Sequence, residues 1–182
     1  MAPSAGEVTR LLVELRSGNP EAEAKLILFE KTPRLGTLDL EIVDLQTHAV
    51  SKVSGSDGLW SPRWSRDGRH ILAFSRAADT LMLFDVNNQK WTELAKIRAG
   101  WPEWSRAGDY IYFLAESIGR PPAGIMRVRI RDHKLEQVAS LKDFRQPAFD
   151  WGGWAGLAPD DSPLLLREAG TQDIYALDWE AP

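Results

Sequence analysis

Two stretches of the chain carry the same order of apolar and polar positions. Residues 61–75 read SPRWSRDGRHILAFS and residues 101–115 read WPEWSRAGDYIYFLA. Each is a short run ending near a tryptophan, then a polar turn containing glycine, then a mostly apolar run. A second pattern follows each one: an apolar strand, a polar turn and a shorter strand. It occurs in TLMLFDVNNQKWTEL (80–94), in GIMRVRIRDHKLEQV (124–138) and upstream in DLEIVDLQTHAVSKV (39–53). Trp64 and Trp104 are 40 residues apart, as are Pro62 and Pro102, Ser65 and Ser105, Arg66 and Arg106, and Gly68 and Gly108. A period near 40 with an internal tryptophan and a glycine turn predicts the blades of a β-propeller.

Each unit reads as four short strands: SPRWS (a), HILAFS (b), TLMLFDV (c) and WTELA (d). Asp67-Gly68 is the a–b hairpin signal, because glycine accepts positive φ. NNQK makes the c–d turn, where asparagine tolerates left-handed geometry. Strands b and c are nearly continuous apolar runs, which suits strands buried on both faces. The tryptophans then fill the space between neighbouring blades. The upstream copy finds room for its first half only if LILFE (26–30) supplies part of it. A degenerate fourth copy aligns without gaps, with Leu157 in the place of Trp64, PDDSPLLL in the place of RDGRHILA, and Asp178 on Asp85.

The expectation is an all-β chain: a partial, unclosed β-propeller of about two full and two partial four-stranded blades over residues 37–180, preceded by a short N-terminal helical segment over 1–30. Closed rings have about 4–8 blades, so an unclosed array leaves apolar end faces that need caps or partners. In the N-terminal segment, Val8, Leu11, Leu12 and Leu15 follow helical spacing. Ser4 with Glu7 is a capping box and Gly18 a stop. Leu11, Leu12 and Leu15 are candidates for covering one end face, and self-association is the other way to cover the ends.

SPRWSRDGRHILAFS resembles the sPxWSPDGxxIaf signature of the TolB-type (PD40, WD40-like) propeller repeat. WPEWSRAGDYIYFLA matches it too, and GLAPDDSPLLLREAG matches weakly. Arg66 and Arg106 depart from it where the family prefers proline, and Ala107 where it prefers aspartate. The later stretches also resemble the C-terminal propellers of multidomain bacterial signalling proteins. GEVTRLLVELRSGNPEAEAKLIL (6–28) is similar to the opening of an extracytoplasmic-function sigma factor, although the promoter-reading parts of such a factor are absent. These resemblances imply an interaction scaffold built from propeller blades. The alternatives are a sigma-factor-related regulatory fusion, or the propeller part of a serine peptidase without its catalytic domain.

Composition narrows the partners. The net charge of −4 argues against nucleic-acid binding by the propeller. The absence of cysteine removes disulfides and thiol chemistry. No apolar run reaches the length of a membrane span. No signal peptide is visible, which favours the cytoplasm, although TolB-like propellers are often periplasmic.

No nucleophile elbow, phosphate loop or metal-ligand spacing occurs. His48 and His133 share the c–d turn position of Gln89, and His70 opens a strand. The expectation is therefore no enzyme activity, no cofactor and no metal. Asp44, Asp85 and Asp178 recur at the end of strand c, where turn chemistry accounts for them. Trp64, Asp67, Gly68, Asp85, Trp104, Gly108 and Asp178 are assigned to the structural repeat. Trp60, Arg63, Trp101, Glu103, Trp151 and Trp154 lie on or just before strand a, near one mouth of a propeller channel. Aromatic and charged residues there are the candidate surface for a protein or peptide.

Overall fold

The computed structural model describes residues 26–31, 38–117, 120–145 and 155–170. Among them every regular element is a strand. The first blade (I) contains β1 (Leu26–Lys31), β2 (Asp39–Asp44) and β3 (Val50–Lys52), paired in that order. Blade II contains β4 (Trp60–Trp64), β5 (His70–Phe74), β6 (Leu81–Asp85) and β7 (Lys90–Ala95). Blade III contains β8 (Ala99–Trp104), β9 (Tyr110–Ser117), β10 (Arg120–Arg129) and β11 (Leu135–Ser140). Blade IV is represented by β12 (Ala155–Leu157) and β13 (Pro163–Leu165). All pairings are antiparallel between sequential strands, and the array does not close on itself. The fold is thus an unclosed, partial propeller with two complete four-stranded blades. The segment LILFE is strand b of blade I. The helical reading over 1–30 is corrected at its end, because residues 26–30 belong to strand β1, where they pair with β2. Its remainder over 1–25, with most of the sigma-like stretch, and Trp151, Trp154 and Asp178 lie outside the described residues.

Blades stack because strand side chains alternate between two faces. In blade II, Ile71, Ala73, Phe84 and Val86 face back toward blade I and join Leu40 and Ile42 in one buried cluster. Leu72, Phe74, Leu81 and Leu83 face forward and meet Ile111, Phe113 and Val128 of blade III. Blade III repeats the rule: Tyr112, Leu114 and Ile125 face forward onto Ala155, Leu157 and Leu165. Trp64 and Trp104 occupy equivalent places, opposite Ile71 and Ile111. Both are half-buried against the gap behind their own blade. The indole N–H of Trp104 donates to the Arg63 carbonyl of blade II at 3.3 Å, tying neighbouring inner strands together. The Trp64 indole nitrogen is buried and has no acceptor.

The fourth copy departs from the gapless alignment. The a–b turn closes with Ser65 N to His70 O in blade II and Ser105 N to Tyr110 O in blade III, but with Ala158 N to Ser162 O in blade IV. The last turn is therefore one residue shorter. Ser162 takes the place of His70, and Leu164 and Leu166 take the places of Leu72 and Phe74.

The gap between blades III and IV also differs chemically. Tyr112 and Arg127 stand where blade II has Leu72 and Leu83. Arg127 donates to the Tyr112 hydroxyl at 3.0 Å and to Glu136 at 2.8 Å, and lies 4.3 Å from the centre of the Tyr110 ring. These partners, the Tyr112 hydroxyl first, raise the Arg127 pKa further.

The stacking rule has a direct test. Leu72→Ala, at a fully buried forward-facing position, should lower stability to urea by about 3 kcal/mol. In dilute solution Leu164→Ala, at the same repeat position on the open face of blade IV, should change it by less than about 0.5 kcal/mol.

Candidate functional site

The inner strands β4 and β8 are shaped by proline. Pro62 and Pro102 have no N–H for the ladder, so pairing skips from Trp60 to Arg63 and from Gly100 to Glu103. Within each bulge the residue before proline takes positive φ: Ser61 at 52° and Trp101 at 52°. In blade II the Ser61 N–H finds the Glu30 carboxylate at 2.9 Å. Because both blades share the bulge, it belongs to the repeat. The tryptophan at the tip in blade III does not, and its side chain is 36% exposed.

The residues grouped on this surface from sequence separate into two kinds. Trp60 is half-buried, packs tilted against Phe74 with ring centroids 5.0 Å apart, and donates its indole N–H to the Ser75 carbonyl at 2.9 Å. Its position corresponds to Gly100, so Trp60 and Trp101 are not repeat equivalents. Arg63 folds back on the Pro62 carbonyl at 3.1 Å, and its own carbonyl receives Trp104. Trp101 and Glu103 instead share a narrow cleft floored by Tyr112 and Ile125. Glu103 also borders a cavity of about 470 Å³ with Trp104, Arg66, Arg106 and Leu157.

This larger cavity lies where the a–b turns of blades II and III approach blade IV. The Arg106 amide is held by the Asp161 carboxylate at 2.7 Å, and its guanidinium reaches the Pro159 carbonyl at 3.4 Å. Among the described residues neither Arg66 nor Arg106 forms an ion pair. Two arginines, the Glu103 and Asp161 side chains, the Trp104 indole and Leu157 line this cavity, and Trp101 lines the neighbouring cleft, which shares Glu103 and Leu157 with it. In the sequence Arg66 and Arg106 stand only as departures from the repeat signature. Their recurrence at one repeat position in both strong copies was the signal that they belong to a shared surface.

The remaining recurrent residues hold turns. The Ser65 hydroxyl donates to Asp67 at 2.7 Å and accepts the His70 N–H at 2.9 Å. In blade III, Ala107 replaces that aspartate and Ser105 donates to Asp109 at 3.0 Å instead. Gly68 and Gly108 take the positive φ these turns need, 67° and 76°. Asp85 accepts the Asn87 N–H at 2.7 Å, and Asp44 accepts the Gln46 N–H at 2.7 Å. His48, Gln89 and His133 share the left-handed position of the c–d turn, with φ of 57°, 58° and 57°. Among the described residues no group of three His, Asp or Glu side chains stands close enough to hold a metal.

The fold defines an array of antiparallel propeller blades, and solved structures place it more closely. TolB from Acinetobacter baumannii superposes with a TM-score of 0.59 at 16% identity, over 77% of this chain and 34% of TolB. A TolB-type protein (described as a putative TolB) from Agrobacterium tumefaciens gives 0.56 at 17% identity, over 76% and 48%. An oligogalacturonate lyase in complex with manganese gives 0.51 at 13% identity, over 63% and 36%. The fold is therefore that of a TolB-like β-propeller, and the chain spans about a third to a half of the length of these structures. No protein-family model matches the chain, and no curated protein does.

The expectation that the chain is not an enzyme is corrected by these comparisons. The similar propellers include the oligogalacturonate lyase and the dihydro-heme d1 dehydrogenase NirN, so enzymes share this blade architecture. The physical reason is that blade packing sets the scaffold while loop and channel side chains set the chemistry. A blade signature therefore carries no exclusion of catalysis.

Asp67 gives a pH test of the turn network. Burial opposes its charged form, but the Ser65 hydroxyl and the Arg69 amide outweigh it and hold the carboxyl below the usual aspartate range. A depressed native pKa means stability that is present above the unfolded-state value and lost as pH falls through the native one. Below about pH 4 the parent should lose stability to urea more steeply than Asp67→Asn. Unfolding midpoints measured from pH 7 downward check this.

Proposed function

We propose that the chain is a propeller-blade interaction scaffold that takes an extended polypeptide segment across the inner strand of blade III. The segment seats an apolar side chain on the Trp101 indole and places a carboxylate beside Arg66 and Arg106. The observation carrying this reading is the side chain at the bulge. Blade II builds the same strained backbone with Ser61, so the indole of Trp101 is not needed to make the bend. A large aromatic exposed on an inner strand, in a cleft that adjoins two arginines with no ion pair among the described residues, is the composition of a binding hot spot. The further reading, that these blades belong to a larger bacterial signalling protein, is supported by the sequence resemblance of the later blades.

Trp101→Ser tests the site, because serine already occupies the equivalent bulge. Peptides selected from a random displayed library on the parent should bind the variant at least ~10-fold more weakly. The circular dichroism spectrum should stay unchanged. Equal affinity for the folded variant removes Trp101 from the site. Competition by an acidic peptide that is insensitive to Arg66→Ala and Arg106→Ala removes the arginines.

A further inference from the structure

The two ends of the array present opposite halves of the contact that joins the blades internally. We propose that the open face of blade IV docks on the open face of blade I of a second copy of this chain, in the manner in which blade II docks on III.

The forward face is the first half. In blade II the forward positions Leu72 and Phe74 are 0% and 4% exposed, and in blade III Tyr112 and Leu114 are 7% and 0% exposed. The shorter a–b turn puts Leu164 and Leu166 at these same positions in blade IV, where each is 44% exposed. No blade stands in front of them among the described residues. The backward face is the second half. Phe84 and Val86 of blade II, 2% and 7% exposed, are covered by blade I. Their equivalents in blade I are Val43 and Leu45, and Leu45 is 43% exposed. Val50, paired with Val43, stands where blade II has Trp91 and is 51% exposed. Phe29 takes the place of Ala73 on the same face.

Charge does not oppose this fit. Glu41 replaces Met82 on the backward face, but it pairs with Lys31 of its own blade at 2.7 Å. Lys52 is likewise held by Asp39 at 3.0 Å and Asp57 at 2.8 Å.

A second copy is the occupant because this chain carries both halves and the contact continues one already made three times within it. The contact is heterologous, head to tail, so it closes a ring if the rotation permits and extends a filament otherwise. Two copies bring together two arrays of four units, within the range of about 4–8 blades of known rings.

Sedimentation velocity of the full chain over the micromolar range tests this, with two double variants. Leu164→Asp with Leu166→Asp blocks the forward face, and Leu45→Asp with Val50→Asp blocks the backward face. The parent should form a dimer or larger species. Each variant alone should be monomeric. Their equimolar mixture should recover a one-to-one dimer, because one intact contact remains. Circular dichroism checks folding, and serine replaces aspartate in any variant that unfolds. A parent that stays monomeric overturns the proposal. Association by either variant alone, or a mixture that stays monomeric, overturns the head-to-tail contact.

Discussion

Everything in this molecule depends on the apolar contact between successive sheets. A strand has two faces, and an isolated sheet of three or four short strands leaves one of them wet. Stacking sheets covers each forward face with the next backward face. A buried leucine contributes about 1.5–3 kcal/mol when its surface is fully removed from water. Leu72, Phe74, Leu81 and Leu83 are buried in one cluster with Ile111, Phe113 and Val128 of the next blade. Stability is then a sum of sheet terms and nearest-neighbour contacts, as in other repeat proteins. The same logic makes the first and last sheets special, since among the described residues each meets one neighbouring sheet.

The inner strands add a second constraint. Pro62 in β4 and Pro102 in β8 break the ladder and force a bulge, and the residue before each takes a left-handed conformation. The chain uses this device structurally at Ser61, where Glu30 of the neighbouring blade takes the freed amide. At Trp101 it presents an indole. One backbone feature thus serves packing in one blade and exposes a contact surface in the next, which is how function is added to a repeat without changing its fold.

The third blade shows the tolerance of the contact. Arg127, Arg129, Tyr110, Tyr112 and Glu136 form a linked set on a face that is leucine-rich in blade II. The guanidinium stacks on the Tyr110 ring, and its N–H groups are spent on a hydroxyl and a carboxylate. Charge is accepted there because each guanidinium nitrogen of Arg127 and Arg129 has a partner and the outer part of that gap remains half-exposed. The inner part, with Leu114, Ile125 and Ala155, stays apolar.

The sequence by itself determined the blade. Trp64 and Trp104, the Ser65 and Ser105 turns and the apolar runs after them are local patterns, and strand alternation and hairpin chemistry act over a few residues. That is why strands a to d, the role of LILFE and the unclosed array could be read from the chain. What only the tertiary structure decided depends on which neighbour each residue meets. Trp60 and Trp101 look alike in sequence, but a one-position offset at the bulge buries one against Phe74 and exposes the other. Leu164 and Leu166 read as core leucines, and the single residue missing from the last turn places them on an open face. Arg66 and Arg106 lie 40 residues apart and share a cavity only because neighbouring blades bring their turns together.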